Sequence, residues 1–496
     1  MEVITPSRMR AIDNNCFYLG MNPLQLMENA GAGIAREICS QTGAATVLFI
    51  AGRGNNGGDA FVAARHLSLL PGFRVRVLLL GSASQIRTME ARANFDLLTY
   101  SDIDDIREIR DSADLHSYPD WKEADMIVDG VLGSGMKGRL REPESTAIDL
   151  INAADAFVIS IDSPSGFDPD AGSFEKSVKA DLTITFHKMK AGLILPNSKD
   201  LTGEVRVVKI GVCRDAEEFV GPGDLKGLAL RSASSHKGNA GSILVIGGGP
   251  YSGAPAFASL AALRAGADLV TVAVPESISH IVAAYSPDLI IKGMQGDRLC
   301  PDHIPLLKPL IDSSDVVVIG PGLGRGAATL EAIRQILFMC KKAVIDADAL
   351  YDLSLPVAGS GEFIVTPHAG EFSRLLGSIP GSEIPVSPEE RKSLVHTFSK
   401  EGQVVTVLKG NIDVISDGRE TRLNRTGNAG MTVGGTGDVL AGIVGALFAT
   451  NSAFDAACCG CFVNGAAGDL AFQENGYGLL ASDVIRKIPY IMKQEW

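Results

Sequence analysis

Short apolar runs, mostly β-branched and cut off by glycine or charge, recur along the whole chain. In its first part they fall at Thr46–Ala51, Val75–Leu80, Met126–Val128, Phe157–Ile161, Leu182–Phe186 and Val205–Ile210. In its second part they fall at Ser242–Ile246, Leu269–Val274, Val316–Ile319, Ala343–Ile345, Phe363–Val365 and Val404–Leu408. Continuous short runs suit strands buried on both faces, and such strands belong to parallel sheets. Helical patterns lie between them. Leu24–Glu37, for example, follows Asn22-Pro23, an asparagine cap with proline at the first helical position. The repeated strand–loop–helix order predicts an α/β chain of two domains, each a mainly parallel sheet flanked by helices. Neither half reads as a copy of the other. The seam is expected within Gly211–Lys226, where Asp215-Ala216-Glu217-Glu218 runs into Gly221-Pro222-Gly223-Asp224. This gives domains at 1–212 and 225–496 with a linker at 213–224. In such sheets ligands bind beyond the carboxyl ends of the strands, so the loops there carry the chemistry.

Composition narrows the class. A chain of 496 residues exceeds one ordinary core, and 46% apolar with 21% charged residues is globular. The net charge of −13, with no long Lys/Arg run, excludes nucleic acid as an expected partner. No signal-like segment opens the sequence and no run approaches the roughly 20 apolar residues that span a bilayer. The expectation is a cytoplasmic protein without a membrane partner. Cys458, Cys459 and Cys461 lack CxxC spacing and read as small buried hydrophobes.

The strongest chemical signal is Asn428-Ala429-Gly430-Met431-Thr432-Val433-Gly434-Gly435-Thr436-Gly437-Asp438, followed at once by apolar Val439–Ala449. Glycines let amides converge on an anion, and a helix begun there points its positive end at the same place. An acid beside that cradle suggests phosphoryl transfer, with Asp438 as base toward a substrate hydroxyl. Other strand ends add Gly320-Pro321-Gly322-Leu323-Gly324, Asp346-Ala347-Asp348, Thr366-Pro367-His368-Ala369-Gly370-Glu371-Phe372 and Lys409-Gly410-Asn411-Ile412-Asp413. His368 alone fits either a satisfied loop histidine or a catalyst. No Gly-Lys dipeptide exists, so there is no Walker A loop, and the protein-kinase signatures are absent.

These loops, with His236-Lys237-Gly238-Asn239-Ala240-Gly241 and Tyr251-Ser252-Gly253-Ala254, resemble the ribokinase-like NAD(P)H-hydrate dehydratases over nearly the whole second domain. The resemblance implies that an adenine nucleotide phosphorylates the C6 hydroxyl of a hydrated nicotinamide. It places the hydrate at Gly253 or Ala254, Gly322, and His368, Ala369, Gly370, Glu371, Phe372, Ser373 and Arg374. It places the nucleotide at Lys409, Gly410, Asn411, Ile412 and Asp413, and at Asn428 to Gly437. Asp438 falls on the acid that contacts the substrate.

In the first domain Gly52, Gly54 and Gly57 satisfy GxGxxG literally. A dinucleotide site would want an acid at the end of the next strand, but Val75–Leu80 ends in Gly81-Ser82. Asn55, Asn56, Gly57, Gly58 and Asp59 instead offer both donors and acceptors. Asp129 opens a later strand end that runs through Gly133, Ser134, Gly135, Met136, Lys137, Gly138 and Arg139, and Asp162-Ser163-Pro164-Ser165 forms a third. Lys137 and Arg139 favour an anionic ligand. With Leu26-Met27-Glu28-Asn29-Ala30-Gly31, this set resembles the NAD(P)H-hydrate epimerases, with a Rossmann-like fold. The resemblance places the hydrate at Asn55 to Asp59, Gly133 to Arg139 and Asp162, and potassium at Asn56, Asp129 and Ser165. Asp162 and Lys137 are its candidates for proton handling.

Together the halves resemble the bifunctional NAD(P)H-hydrate repair enzymes. The expectation is epimerisation of R- and S-NADHX and NADPHX, then dehydration of the S form, releasing AMP and phosphate. Fused prokaryotic members favour ADP as donor, with ATP open. Magnesium is expected to accompany the nucleotide, and a homo-oligomer is expected. The competing expectation is a ribokinase-superfamily kinase of a vitamin precursor, carrying a non-catalytic ligand-binding first domain.

Overall fold

The computed structural model describes residues 3–133, 140–169, 176–228, 241–377, 384–385 and 387–493. The chain divides into two compact units, Met1–Arg214 and Asp215–Trp496. Each short apolar run read as a strand falls on one.

The first unit has a seven-stranded, wholly parallel sheet. Its order is Asp105–Ile109, Phe73–Leu80, Ala45–Ala51, Met126–Gly130, Phe157–Ile161, Leu182–Phe186 and Glu204–Val208. The order reverses between Ala45–Ala51 and Met126–Gly130, so the loops after these two strands diverge and leave a crevice. Glycine makes the crevice floor. A Cβ on Gly52 would stand 2.0 Å from the Val131 carbonyl oxygen, and one on Gly57 would stand 1.9 Å from that of Gly52. Helix Pro23–Gln41 starts at the expected place: Asn22 Oδ1 accepts from the Leu24 amide (2.9 Å) and Gln25 Oε1 from the Asn22 amide (2.8 Å). The Leu26–Gly31 motif on this helix both packs and borders the crevice, where Leu26, Met27 and Ala30 line its cavity. Gly31 meets Val62, and Asn29 Nδ2 donates to the Ile210 carbonyl at 2.9 Å.

The second unit has nine strands, ordered Ile290–Met294, Leu269–Pro275, Ser242–Ile246, Val316–Ile319, Lys342–Ile345, Glu362–Val365, Val405–Leu408, Asp413–Ser416 and Thr421–Asn424. The last two run antiparallel. Here the order reverses between Ser242–Ile246 and Val316–Ile319. Helices Gly253–Arg264 and Thr436–Phe448 pack closely on one face, where a Cβ on Gly442 would stand 2.0 Å from the Ala258 carbonyl oxygen. That contact sets the start of Thr436–Phe448 against the start of Gly253–Arg264, with Gly435 over Phe257.

Several strands carry no continuous apolar run. Asp105–Ile109 and Ile290–Met294 are sheet edges, partly exposed, so charged residues interrupt their apolar pattern. The 213–224 stretch, expected as a linker, holds helix Arg214–Glu218 and the start of Pro222–Lys226. It is tied to the second unit. Arg422 grips Asp224 through two nitrogens (2.8 and 3.1 Å) and donates to the Phe219 carbonyl at 2.7 Å. We therefore place the seam at 214/215 and predict that fragments 1–214 and 215–496, made separately, each unfold in one cooperative urea transition. A fragment that stays soluble only in the presence of the other would refute that boundary.

Candidate active sites

In the second unit the chemistry gathers where three strand ends meet the first turn of one helix. Gly435 caps Thr436–Phe448 with φ 99°, a left-handed conformation that glycine adopts without strain. The first helical bond runs from the Val439 amide to the Gly435 carbonyl (3.0 Å), so the amides of Thr436, Gly437 and Asp438 lie ahead of it. Lys409 ends strand Val405–Leu408 and brings Nζ to 3.4 Å from where a Cβ on Gly437 would be. The same ammonium bonds Asp346 Oδ1 at 2.9 Å, which also accepts from Thr366 Oγ1 at 2.8 Å. Asp346 is 2% exposed. Burial opposes the Lys409 charge, but Asp346 and Glu371 outweigh it and hold its pKa above the ordinary value. Asp438 is pushed up to about 7, by burial first and then by Asp346, with Lys409 opposing.

A cavity of about 560 Å³ opens over Asp438, lined by Gly253, Ala254, Gly322, Asp348, Phe257 and Gly435 among others. The structure thus brings together Gly253, Ala254, Gly322 and Asp438. No residue of the His368–Arg374 stretch lines this cavity. His368 Nδ1 accepts from the amides of Gly370 (3.0 Å) and Glu371 (3.3 Å), and Glu371 Oε2 accepts from the His368 amide (2.9 Å). His368 is therefore the cap of helix Ala369–Leu376. Phe372 is a correction: its ring is fully buried against Phe398, centroids 4.8 Å apart, so its side chain belongs to the core. Along the proposed nucleotide path, Asp413 accepts from the Gly410 amide (3.0 Å) and Asn424 Nδ2 (2.9 Å). Asn428 caps the short turn Ala429–Thr432 and is held by Asp469 at 2.8 Å.

In the first unit a cavity of about 480 Å³ occupies the crevice. It is lined by Asn55, Asn56, Asp59, Gly133 and Asp162, all expected, and by Asp13 and Lys190, which were not. Asn55 and Asn56 open helix Asn55–Ser68, whereas Gly57 and Gly58 are buried on its packed side. Asp162 has φ 63° and bonds Lys190 Nζ at 2.6 Å; Lys190 also donates to Thr185 Oγ1 (2.7 Å) and the Phe186 carbonyl (3.1 Å). Ser134, Gly135, Met136, Lys137, Gly138 and Arg139 lie outside the described residues. Asp129 is fully buried and accepts from Ser160 Oγ (2.8 Å) and from the Ser165 amide (2.8 Å) and hydroxyl. Burial raises its carboxyl pKa against those bonds. Asn56 Nδ2 donates to the Leu132 carbonyl (3.2 Å), and the Leu132 amide donates to Ser165 Oγ (2.8 Å). Asn56, Asp129 and Ser165 are thus drawn around one turn.

The family model for NAD(P)H-hydrate dehydratase matches residues 243–490, and that for YjeF-related protein N-terminus matches 23–192. A bifunctional NAD(P)H-hydrate repair enzyme Nnr from Archaeoglobus fulgidus is 44% identical over 489 residues, covering 99% of this chain and 98% of the relative. The chain belongs to the bifunctional NAD(P)H-hydrate repair enzyme family. Another member, from Pyrobaculum aerophilum, is 44% identical over 503 residues, covering 100% of this chain and 99% of the relative. A solved ADP/ATP-dependent NAD(P)H-hydrate dehydratase from Bacillus subtilis, co-crystallised with ATP and Mg²⁺, is 27% identical with a TM-score of 0.48. It covers 56% of this chain and 98% of that one.

Several residues of this repair-enzyme fold escaped the sequence reading. Asp346 and Asp348 lay in a noted strand-end loop, and their acid-after-strand pattern was the available signal. Arg391 had none. It sits on helix Pro388–Gly402, yet its Nη2 stands 3.1 Å from where a Cβ on Gly410 would be, and its buried Nε has no hydrogen-bond partner among the described residues. The electrostatics of Asp438 can be measured directly. Carbon-detected NMR should find its titration midpoint near 7. Lys409→Met removes a cation that lowers this pKa and should move the midpoint up; Asp346→Asn removes an anion that raises it and should move the midpoint down. A wild-type midpoint near the ordinary 3.9 would refute the arrangement.

Proposed function

We propose that this chain repairs hydrated nicotinamide cofactors, the first unit equilibrating the R and S epimers of NADHX and NADPHX and the second dehydrating the S epimer. ADP is the donor, and AMP and phosphate are released. The observation that carries this reading is Asp438: a carboxyl poised near neutrality, on the first turn of a helix with open amides, facing the cavity.

The chemistry follows from these positions. The nucleotide lies along Lys409–Asp413 and Asn428–Gly437, with its phosphates on the amides of Thr436 and Gly437, where the helix dipole favours negative charge. The hydrate enters between Gly253, Ala254 and Gly322. Asp438 takes the proton of the C6 hydroxyl as the oxygen attacks the terminal phosphorus. Lys409, balanced by Asp346, stands beneath the transferring group. Phosphorylation turns a poor leaving group into a good one. The ring nitrogen lone pair expels phosphate, the C5 proton departs, and the reduced ring is restored. Alignment and charge dispersal supply most of the acceleration.

Two ions accompany this reading. Potassium would sit at Asn56, Asp129 and Ser165, where carbonyl, hydroxyl and one carboxylate oxygen types suit a large monovalent cation. The neighbouring Ser163 hydroxyl is buried without a hydrogen-bond partner among the described residues. The potassium charge would offset the buried Asp129. Magnesium would arrive with the nucleotide; among the described residues no group of three or more His, Cys, Asp or Glu forms a dedicated site. No described helix is long and apolar enough to cross a membrane. The family resemblance supports a cytoplasmic homo-oligomer.

With S-NADPHX and ADP, the protein should restore the absorbance of the reduced ring and release AMP and phosphate. Asp438→Asn should lower that turnover by about a hundredfold or more while ADP still binds. Wild-type-like turnover in the variant would remove Asp438 from the mechanism, and a stable phosphate ester as product would instead identify a kinase.

A further inference from the structure

The first-unit cavity holds charged groups to which the chemistry above gives no role, Asp13 among them. Helix Pro6–Tyr18 precedes the matched residues 23–192, and no motif marks it. Its residues Pro6, Met9, Arg10, Asp13 and Phe17 share one helical face, and that face lines the cavity. Asp13 is the acid on it. From helix Asn55–Ser68, Asp59 lines the same space; from the end of strand Phe157–Ile161, Asp162; from strand Met189–Lys190, Lys190. Asp162 and Lys190 form an ion pair at 2.6 Å. The carboxyls of Asp13 and Asp59 have no hydrogen bond or ion pair with any described residue, so both are left to the cavity.

Resting on the epimerase reading of this unit, we propose that Asp13 is the general acid of the epimerisation, with the Asp162–Lys190 pair as its complement. Breaking the C6–O bond needs a proton on the departing hydroxyl. Asp13 gives that proton, water leaves, and the N1 lone pair forms an iminium with C6. Water then adds to the opposite face of C6 and passes its extra proton to the Asp162 carboxylate. Proton exchange with solvent returns both groups to their starting states, and substrate and product have the same composition.

The environment favours a proton on Asp13. Burial, then the Asp162 charge, push its carboxyl up to about 6, with Lys190 opposing. Asp59 is raised well above the ordinary value by burial and by the Asp162 and Asp13 charges. On its own helix Cys16 is raised to about 12 and stays neutral, and Arg10 is the cation.

The test uses the full-length protein with purified R- and S-NADPHX and ADP. Asp13→Asn should cut kcat/KM for epimerisation about a hundredfold or more. Dehydration of the S epimer should keep its wild-type rate, and NADPH should still bind the first unit. Asp13→Glu should recover part of the loss. After subtraction of the uncatalysed reaction, wild-type kcat/KM should fall as pH rises past about 6, and the Asn variant should lack this limb. Epimerisation by Asp13→Asn within about threefold of wild type, or joint loss of turnover and NADPH binding, would overturn the proposal. A wild-type protein that cannot epimerise would instead sink the reading on which it rests.

Discussion

A parallel sheet buried on both faces has only its two ends for polar work, and both units obey that constraint. Each sheet reverses its strand order once, and there two neighbouring loops part. The parting is made tight by glycine. Gly52 meets the Val131 carbonyl in one unit, and Gly247 meets the Pro321 carbonyl in the other, with distances of 2.0 and 2.5 Å from ideal Cβ positions. Any side chain there would push the strand ends apart. The cavities at Asn55 and at Gly253 are therefore consequences of topology, fixed before any substrate contact is considered.

The two sites also share an electrostatic pattern. In each, one lysine is committed to one carboxylate, Lys409 to Asp346 and Lys190 to Asp162. Beside each pair stand cavity-facing carboxyls pushed toward their neutral form, Asp438 in the second unit and Asp13 and Asp59 in the first. A chain with a net charge of −13 can in this way receive anionic dinucleotides. In the proposed reading the substrate meets neutral carboxyls and backbone amides there, beside the paired Asp346 and Asp162.

Much of the fold was legible in the sequence because its strands are continuous apolar runs. Ser242–Ile246 and Phe157–Ile161 appear with the boundaries that their residues suggest. Edge strands such as Asp105–Ile109 were not legible, because solvent on their flanks lets charged residues interrupt the apolar pattern. The same holds for chemistry. Asp438 declared itself through an acid placed after glycines, a local pattern with few packing uses. His368 by itself fitted either a satisfied loop histidine or a catalyst, and the structure shows it capping a helix, because a histidine's partners cannot be read from its neighbours alone.

By itself, then, the sequence determined two α/β sheets, the loops at their carboxyl ends and the acid that follows the glycine-rich turn, all of them properties of contiguous residues. Tertiary structure alone decided that Phe372 belongs to the core, that Lys409 is already partnered by Asp346, that Arg391 leans over Gly410, and that Asp13 shares a cavity with Asp162. The physical reason is distance along the chain: Asp13 and Asp162 meet because a helix packs on a sheet, and burial and charge proximity, which set a carboxyl's behaviour, exist only after that packing.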